Sequence, residues 1–186
     1  MHRLVLIKHA RPQVDPAVPS EEWTLGPEGR DAAARLAQHL RGQIFSRLYT
    51  SDEPKALQTA QILAQTLQAP VEQVSDLREH DRRNVPHMDS REFISLIALF
   101  FKEPGRLVLG DETADEAAER FLFAVDGILK REAGDVAIVS HGTVISLFAH
   151  RRARVEPFGL WRRMGQPSTI TFDTTSWKVL DVCERV

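Results

Sequence analysis

The sequence predicts an α/β fold, a three-layer sandwich in which a mostly parallel central sheet carries helices on both faces. Three observations predict it. Apolar runs of strand length alternate with stretches of helical periodicity along the chain, the pattern of strand–helix–strand units. Two runs, Leu4–Ile7 and Val136–Val139, are unbroken and rich in branched side chains, as expected of strands buried on both faces. Each delivers a histidine at its end, His9 and His141, where open α/β sheets place their ligands.

The first strand ends in Lys8-His9-Ala10-Arg11-Pro12. A histidine between two cations at a strand end suggests an anion site with a nucleophile in it. The competing reading is a solvated loop histidine. Pro12, Pro16 and Pro19 then prevent helix up to Leu25. Gly26-Pro27-Glu28 reads as a helix start: a tolerated N-cap, proline at the first position, an acid in the first turn. Ala33, Leu36, Ala37 and Leu40 supply its apolar face, and Gly42 ends it.

Phe45–Thr50 reads as the next strand. Ser51-Asp52-Glu53-Pro54 starts a second helix, with Ala56, Leu57, Ala60, Leu63, Ala64 and Leu67 as its buried stripe. Lys55 lies in the first turn, off that stripe. A cation there opposes the helix macrodipole, which makes more sense if an anion binds nearby; the plain alternative is a surface lysine. Val71–Val74 is read as a short strand. Asp76–Arg83, DLREHDRR, is either a solvated loop or a segment that turns Glu79 into the anion site. Asp89 or Ser90 starts a helix to Lys102, closed by Pro104-Gly105.

Thr113 and Glu116 have capping-box spacing ahead of a helix whose core face is Ala118, Phe121, Leu122, Val125, Ile128 and Leu129. After Gly134 comes the second buried strand and Ser140-His141-Gly142, then a helix over Val144–His150. Ser168–Asp173 and Trp177–Glu184, joined by polar residues, read as a hairpin or two late strands at a sheet edge. Trp23, Trp161 and Trp177 are too widely spaced for a base-stacking surface and are read as packing residues.

Composition narrows the function classes. The chain of 186 residues is read as one domain, 1–186, with a full-sized core. A formal net charge of -2 gives no reason to expect nucleic acid or an anionic membrane as partner. The lone Cys183 excludes an internal disulfide and fits a reducing compartment. No signal peptide or spanning segment is read, so a cytoplasmic location is expected. Histidine spacing shows no metal-ligand pattern, so no metal and no cofactor is expected.

Taken in order, these segments resemble the histidine phosphatase (phosphoglycerate mutase-like) superfamily. Lys8-His9-Ala10 sits where that family has Arg-His-Gly. Thr50-Ser51 with Lys55 and Thr59-Ala60 resembles its Ser-Ser-x-x-x-Arg-x-x-x-Thr-Ala segment. Leu77-Arg78-Glu79 resembles the stretch carrying its acid, and Glu112-Thr113 with Arg120 its Glu-Ser helix start and later arginine. Ser140-His141-Gly142 matches its second histidine motif directly.

The resemblance implies a metal-independent phosphatase acting on a small phosphate monoester through a phosphohistidine. His9 would be the nucleophile, Glu79 the general acid and base, and His141 a catalytic partner. Lys8, Lys55, Arg11 and Gly142 would bind the substrate. A general acid of this kind calls for a raised pKa, which burial favours and neighbouring cations oppose.

The chain departs from the pattern in named places. Lys8 and Lys55 stand where arginines are expected, keeping charge but losing the planar fork. Ala10 replaces a glycine. The Trp-Glu-Gly residues that often follow the family acid are absent, which leaves Glu112 and Asp81 as alternates to Glu79. Two other readings therefore stand beside the hydrolase: a weak or inactive phosphate-binding member, and a phosphohistidine protein phosphatase. Arg82, Arg83, His87 and Arg91 are candidates for contacting a second anionic group, against a solvated basic loop as the alternative. The oligomeric state is left open.

Overall fold

The structure, a computed structural model, describes residues 2–185. In chain order its elements are β1 (Arg3–Lys8), α1 (Pro27–His39), β2 (Leu48–Thr50), α2 (Pro54–Leu67), β3 (Val71–Gln73) and α3 (Ser90–Lys102). There follow α4 (Ala114–Arg131), β4 (Val136–Ser140), α5 (Gly142–Ala153), α6 (Pro157–Arg163), β5 (Ser168–Asp173) and β6 (Val179–Cys183). The strands form one six-stranded sheet in the order β3-β2-β4-β1-β5-β6. The pairs β3–β2, β2–β4 and β4–β1 are parallel, while β1–β5 and β5–β6 are antiparallel.

Local chemistry accounts for the helix starts. Proline occupies the first turn of α1, α2 and α6, where its missing N–H costs nothing. The Thr113–Glu116 capping box forms on α4: the Glu116 N–H donates to Thr113 Oγ1 at 3.2 Å, and the Thr113 N–H donates to Glu116 Oε2 at 2.8 Å. Asp89 caps α3, its side chain accepting from the Arg91 N–H.

Alternation along β1 divides the core. Val5 and Ile7 face α1 and α2 together with Leu36, Ala60 and Leu63. Leu4 and Leu6 face the other way, into a larger cluster with Phe121, Val125, Phe148 and Phe172. The helices thus lie on both faces, as expected, and the hairpin lies at the sheet edge. The helix α6 was not anticipated. Its signal is local: Glu156 precedes Pro157, and its side chain accepts from the Phe158 and Gly159 N–H groups. Among the described residues no helix is long and apolar enough to cross a membrane.

Candidate active site

Sheet register explains why His9 and His141 meet. Lys8 on β1 pairs with Ser140 on β4, and each histidine is the next residue. The His9 N–H continues the ladder, donating to the Ser140 carbonyl at 2.9 Å. The ring centroids lie 5.1 Å apart in an edge-to-face arrangement. On the far side of β4, Thr50 pairs with Val139, so Ser51 arrives beside His141, its Oγ 2.9 Å from Nε2. The hydroxyl of Thr59, one helical turn beyond Lys55, donates to the Lys55 carbonyl and accepts from the Ala10 N–H, fixing the backbone after His9.

Both imidazoles are neutral near pH 7. Burial holds His9 well below the ordinary histidine range, and the charges of His141, Lys55 and Lys8 act in the same direction. Burial does the same to His141, with Lys55 adding to it. His9 Nδ1 lies 2.8 Å from the Ala10 carbonyl, which only accepts. The ring hydrogen therefore sits on Nδ1, and Nε2 keeps its lone pair.

Glu79 is 9 % exposed and lies at the start of α5. Its carboxylate accepts from the Thr143 and Val144 N–H groups, each at 3.3 Å, and from its neighbour His80 at 3.0 Å. Burial by itself would raise its pKa. Arg82, His141 and the His80 amide outweigh burial and bring it to about 2. The role calls for a raised pKa, favoured by burial and opposed by cations; here the charges and amides around this carboxylate prevail.

Lys8 donates to the Met164 carbonyl at 2.9 Å. Burial lowers its ammonium to about 8; Glu79 opposes the shift and Arg82 adds to it. Gly142 gives this side chain room, since a Cβ there would stand 3.1 Å from Lys8 Cε. Lys55 is buried. Its Nζ donates to the Ser20 carbonyl at 2.7 Å and also to the Glu53 carboxylate.

The structure therefore brings together His9, His141, Glu79, Lys8, Lys55 and Gly142. It does not bring Arg11 to them: that side chain is exposed and reaches Glu28 on α1 at 3.4 Å. The alternates to Glu79 are occupied elsewhere. Asp81 pairs with Arg83. Glu112 is gripped by both arms of Arg120, Nε and Nη2 each donating at 2.8 Å. Arg120 also donates to the carbonyls of Asp76, Arg78 and Glu79, so the pair braces the loop that presents Glu79.

The segment DLREHDRR is not one solvated loop. Leu77, Glu79 and His80 are buried, and the ring of His80 packs 4.4 Å from that of Phe100.

Residue reasoning passed over Glu53, which it took only as part of a helix start. The signal was an acid two places before Lys55, close enough to cancel it. Glu53, Glu79, His80 and Arg82 line a cleft of 280 Å³, and neither His9 nor His141 is on its wall. A second cleft of 510 Å³ shares Ser20, Arg82 and Arg83 with it and adds Trp23, Met88 and Phe93. Trp23 is thus a cleft-wall residue, whereas Trp161 and Trp177 pack against the core. Among the described residues no three His, Cys, Asp or Glu side chains are grouped so as to hold a metal ion.

Residues 4–184 match the histidine phosphatase superfamily (branch 1). A search of curated proteins finds no match. Among solved structures, a mycobacterial glucosyl-3-phosphoglycerate phosphatase superposes with a TM-score of 0.80 at 18 % identity, covering 100 % of this chain and 99 % of that one. Bacillus stearothermophilus YhfR gives 0.78 at 24 % identity, covering 100 % and 98 %. A phosphoserine phosphatase from Entamoeba histolytica, in complex with phosphoserine, gives 0.73 at 19 % identity, covering 98 % and 97 %. At these identities the structural likeness establishes the fold. The sequence match, together with two histidines meeting on adjacent strand ends, places this chain in the histidine phosphatase superfamily, branch 1.

Proposed function

We propose that the chain hydrolyses small phosphate monoesters, without a metal, through a phosphohistidine on His9. One observation carries this reading. A buried, neutral imidazole with its Nε2 lone pair available stands 5.1 Å from a second imidazole, among Lys8, Lys55 and Glu79.

In the first step His9 Nε2 attacks phosphorus, the ester P–O bond breaks, and the leaving oxygen takes a proton from Glu79. In the second, water attacks the phosphohistidine, gives its proton to Glu79, and the P–N bond breaks to release phosphate. The Ala10 carbonyl stabilises the Nδ1–H of the ring as it gains positive charge. Lys8, Lys55 and His141 stabilise the phosphoryl oxygens throughout. Glu79 is ionised in the free protein, so it must gain its proton when substrate binds. A phosphoryl anion placed beside it favours that uptake, because like charges raise a carboxyl pKa.

The larger cleft supports a leaving group with an apolar portion, set against Trp23 and Phe93, and an anionic one near Arg82, Arg83 and His87. Arg91, an exposed residue on α3, is not on that wall.

Turnover of p-nitrophenyl phosphate and a panel of phosphate esters, with EDTA present, tests the proposal. A covalent phosphoenzyme that is labile in acid and stable in base is the expected intermediate. A second reading, phosphate binding without turnover, is favoured by the Glu53 carboxylate already resting on Lys55. Saturable phosphate binding with no turnover on any ester would select it.

Lys8 supplies a pH prediction. Its ammonium is charged below about 8 and neutral above. Because kcat/KM reports the free enzyme, its fall is expected to steepen as pH rises through about 8, beyond the loss of the proton that Glu79 must take up. The steeper limb in kcat should lie higher, since bound phosphoryl charge stabilises the ammonium. Lys8→Arg removes the steeper limb, because arginine does not deprotonate in this range. A steeper limb that persists in Lys8→Arg would assign it to another group.

A further inference from the structure

Glu53 is a buried charged residue of the pocket that the proposed reaction leaves unused. It is the N-cap of α2, yet its side chain makes no hydrogen bond to the helix end. A glutamate in that position can accept from the first amides of its own helix, as Glu156 does on α6. Here the carboxylate turns into the pocket instead. Oε2 accepts from Lys55 Nζ; Oε1 accepts from the Glu79 N–H at 2.7 Å and lies 3.3 Å from His141 Nε2.

Lys55 and His141 are groups the reading above assigns to phosphoryl oxygens. An oxyanion that reaches them therefore meets Glu53. The carboxylate is 9 % exposed and held by a backbone amide as well as by Lys55, so it stays in place as a neighbour of the anion. Two acceptors face each other favourably only if one of them carries a proton. A phosphoryl group in its monoanionic form has an O–H to donate. Sulfate, of the same shape, has none near neutral pH.

We infer that Glu53 is a specificity-determining residue: it accepts a hydrogen bond from a protonated phosphoryl oxygen, admitting oxyanions that carry a proton and rejecting sulfate and sulfate esters. The inference rests on reading the pocket as a phosphoryl site and does not require turnover.

Titration of the intact protein with inorganic phosphate and with inorganic sulfate tests it, at about pH 6, where inorganic phosphate is mostly the doubly protonated monoanion and sulfate carries no proton. The wild type is expected to prefer phosphate by about tenfold or more, the worth of one charge-assisted hydrogen bond gained against one repulsion. Glu53→Gln, whose amide can donate to sulfate, is expected to bring the two affinities within about threefold by tightening sulfate. Glu53→Asp keeps an acceptor and keeps the preference.

The inference is overturned if the wild type binds the two ions equally or binds neither, or if Glu53→Gln keeps the preference. The wild-type ratio decides by itself should a variant not fold. A Glu53-dependent preference without ester hydrolysis would sink the hydrolase and leave this inference standing; hydrolysis through His9 without the preference would do the reverse.

Discussion

His9→Ala is expected to lower kcat/KM for the best phosphate ester by about 10,000-fold or more, the scale on which removing a covalent nucleophile acts. His9 is placed to attack because its Nδ1 hydrogen is committed to the Ala10 carbonyl, leaving Nε2 as the only basic atom of the ring. His141 has the opposite arrangement: its Nε2 faces Ser51 and Glu53, and its Nδ1 is the atom without a partner. The variant should fold, since the side chain contributes one hydrogen bond and sits at a strand end rather than in the apolar core. It should also form no acid-labile phosphoenzyme while still binding phosphate. The measurement is steady-state hydrolysis in EDTA beside acid-quenched labelling. Hydrolysis by His9→Ala within tenfold of the wild type would remove His9 from the chemistry and the phosphohistidine with it.

Arg120→Ala is expected to carry the largest stability cost outside the apolar core. Arg120 and Glu112 are both largely buried and joined by two parallel hydrogen bonds. Removing the guanidinium leaves a buried carboxylate without its partner and frees three backbone carbonyls. Breaking such a pair costs about 3–5 kcal/mol. For a chain of this size that is about 10 °C in Tm. Activity should fall beyond the stability effect, because the freed carbonyls belong to the loop that presents Glu79. Arg120→Lys should recover little, as an ammonium cannot span both oxygens. The double variant Arg120→Leu with Glu112→Leu should be milder than Arg120→Ala, since neither charge is left unpaired. Thermal melts of the set decide it: a loss under about 1 kcal/mol for Arg120→Ala would mean the pair is solvated and braces nothing.

Much of this architecture was readable in the residues. The strands β1 and β4 announce themselves because a parallel strand covered on both faces is apolar throughout and stops where polar side chains begin. The caps of α3 and α4 and the prolines of α1 and α2 mark their helices for equally local reasons. The short helix α6 carried the same kind of mark in Glu156-Pro157 but lacked the length that makes a periodic pattern stand out.

The site was legible as far as strand ends reach. Once β1 and β4 are neighbours in register, His9 and His141 must meet, because each follows a paired residue. Side chains on loops and helix starts were not settled this way. Arg11 sits two residues after His9 and still goes to Glu28, since the loop leaves it in solvent with an acid in reach. The general-acid role of Glu79 called for a raised pKa, favoured by burial and opposed by cations; the cation at Arg82 and the amide of His80 prevail and ionise it.

Residue order thus dictated which backbone ends converge on the pocket, because alternation, capping and turn chemistry act over a few neighbouring residues. It left open the direction of Glu53, the withdrawal of Arg11 and the charge of Glu79. Those depend on groups brought near from distant parts of the chain, and the field at a buried atom is the sum of everything folded around it.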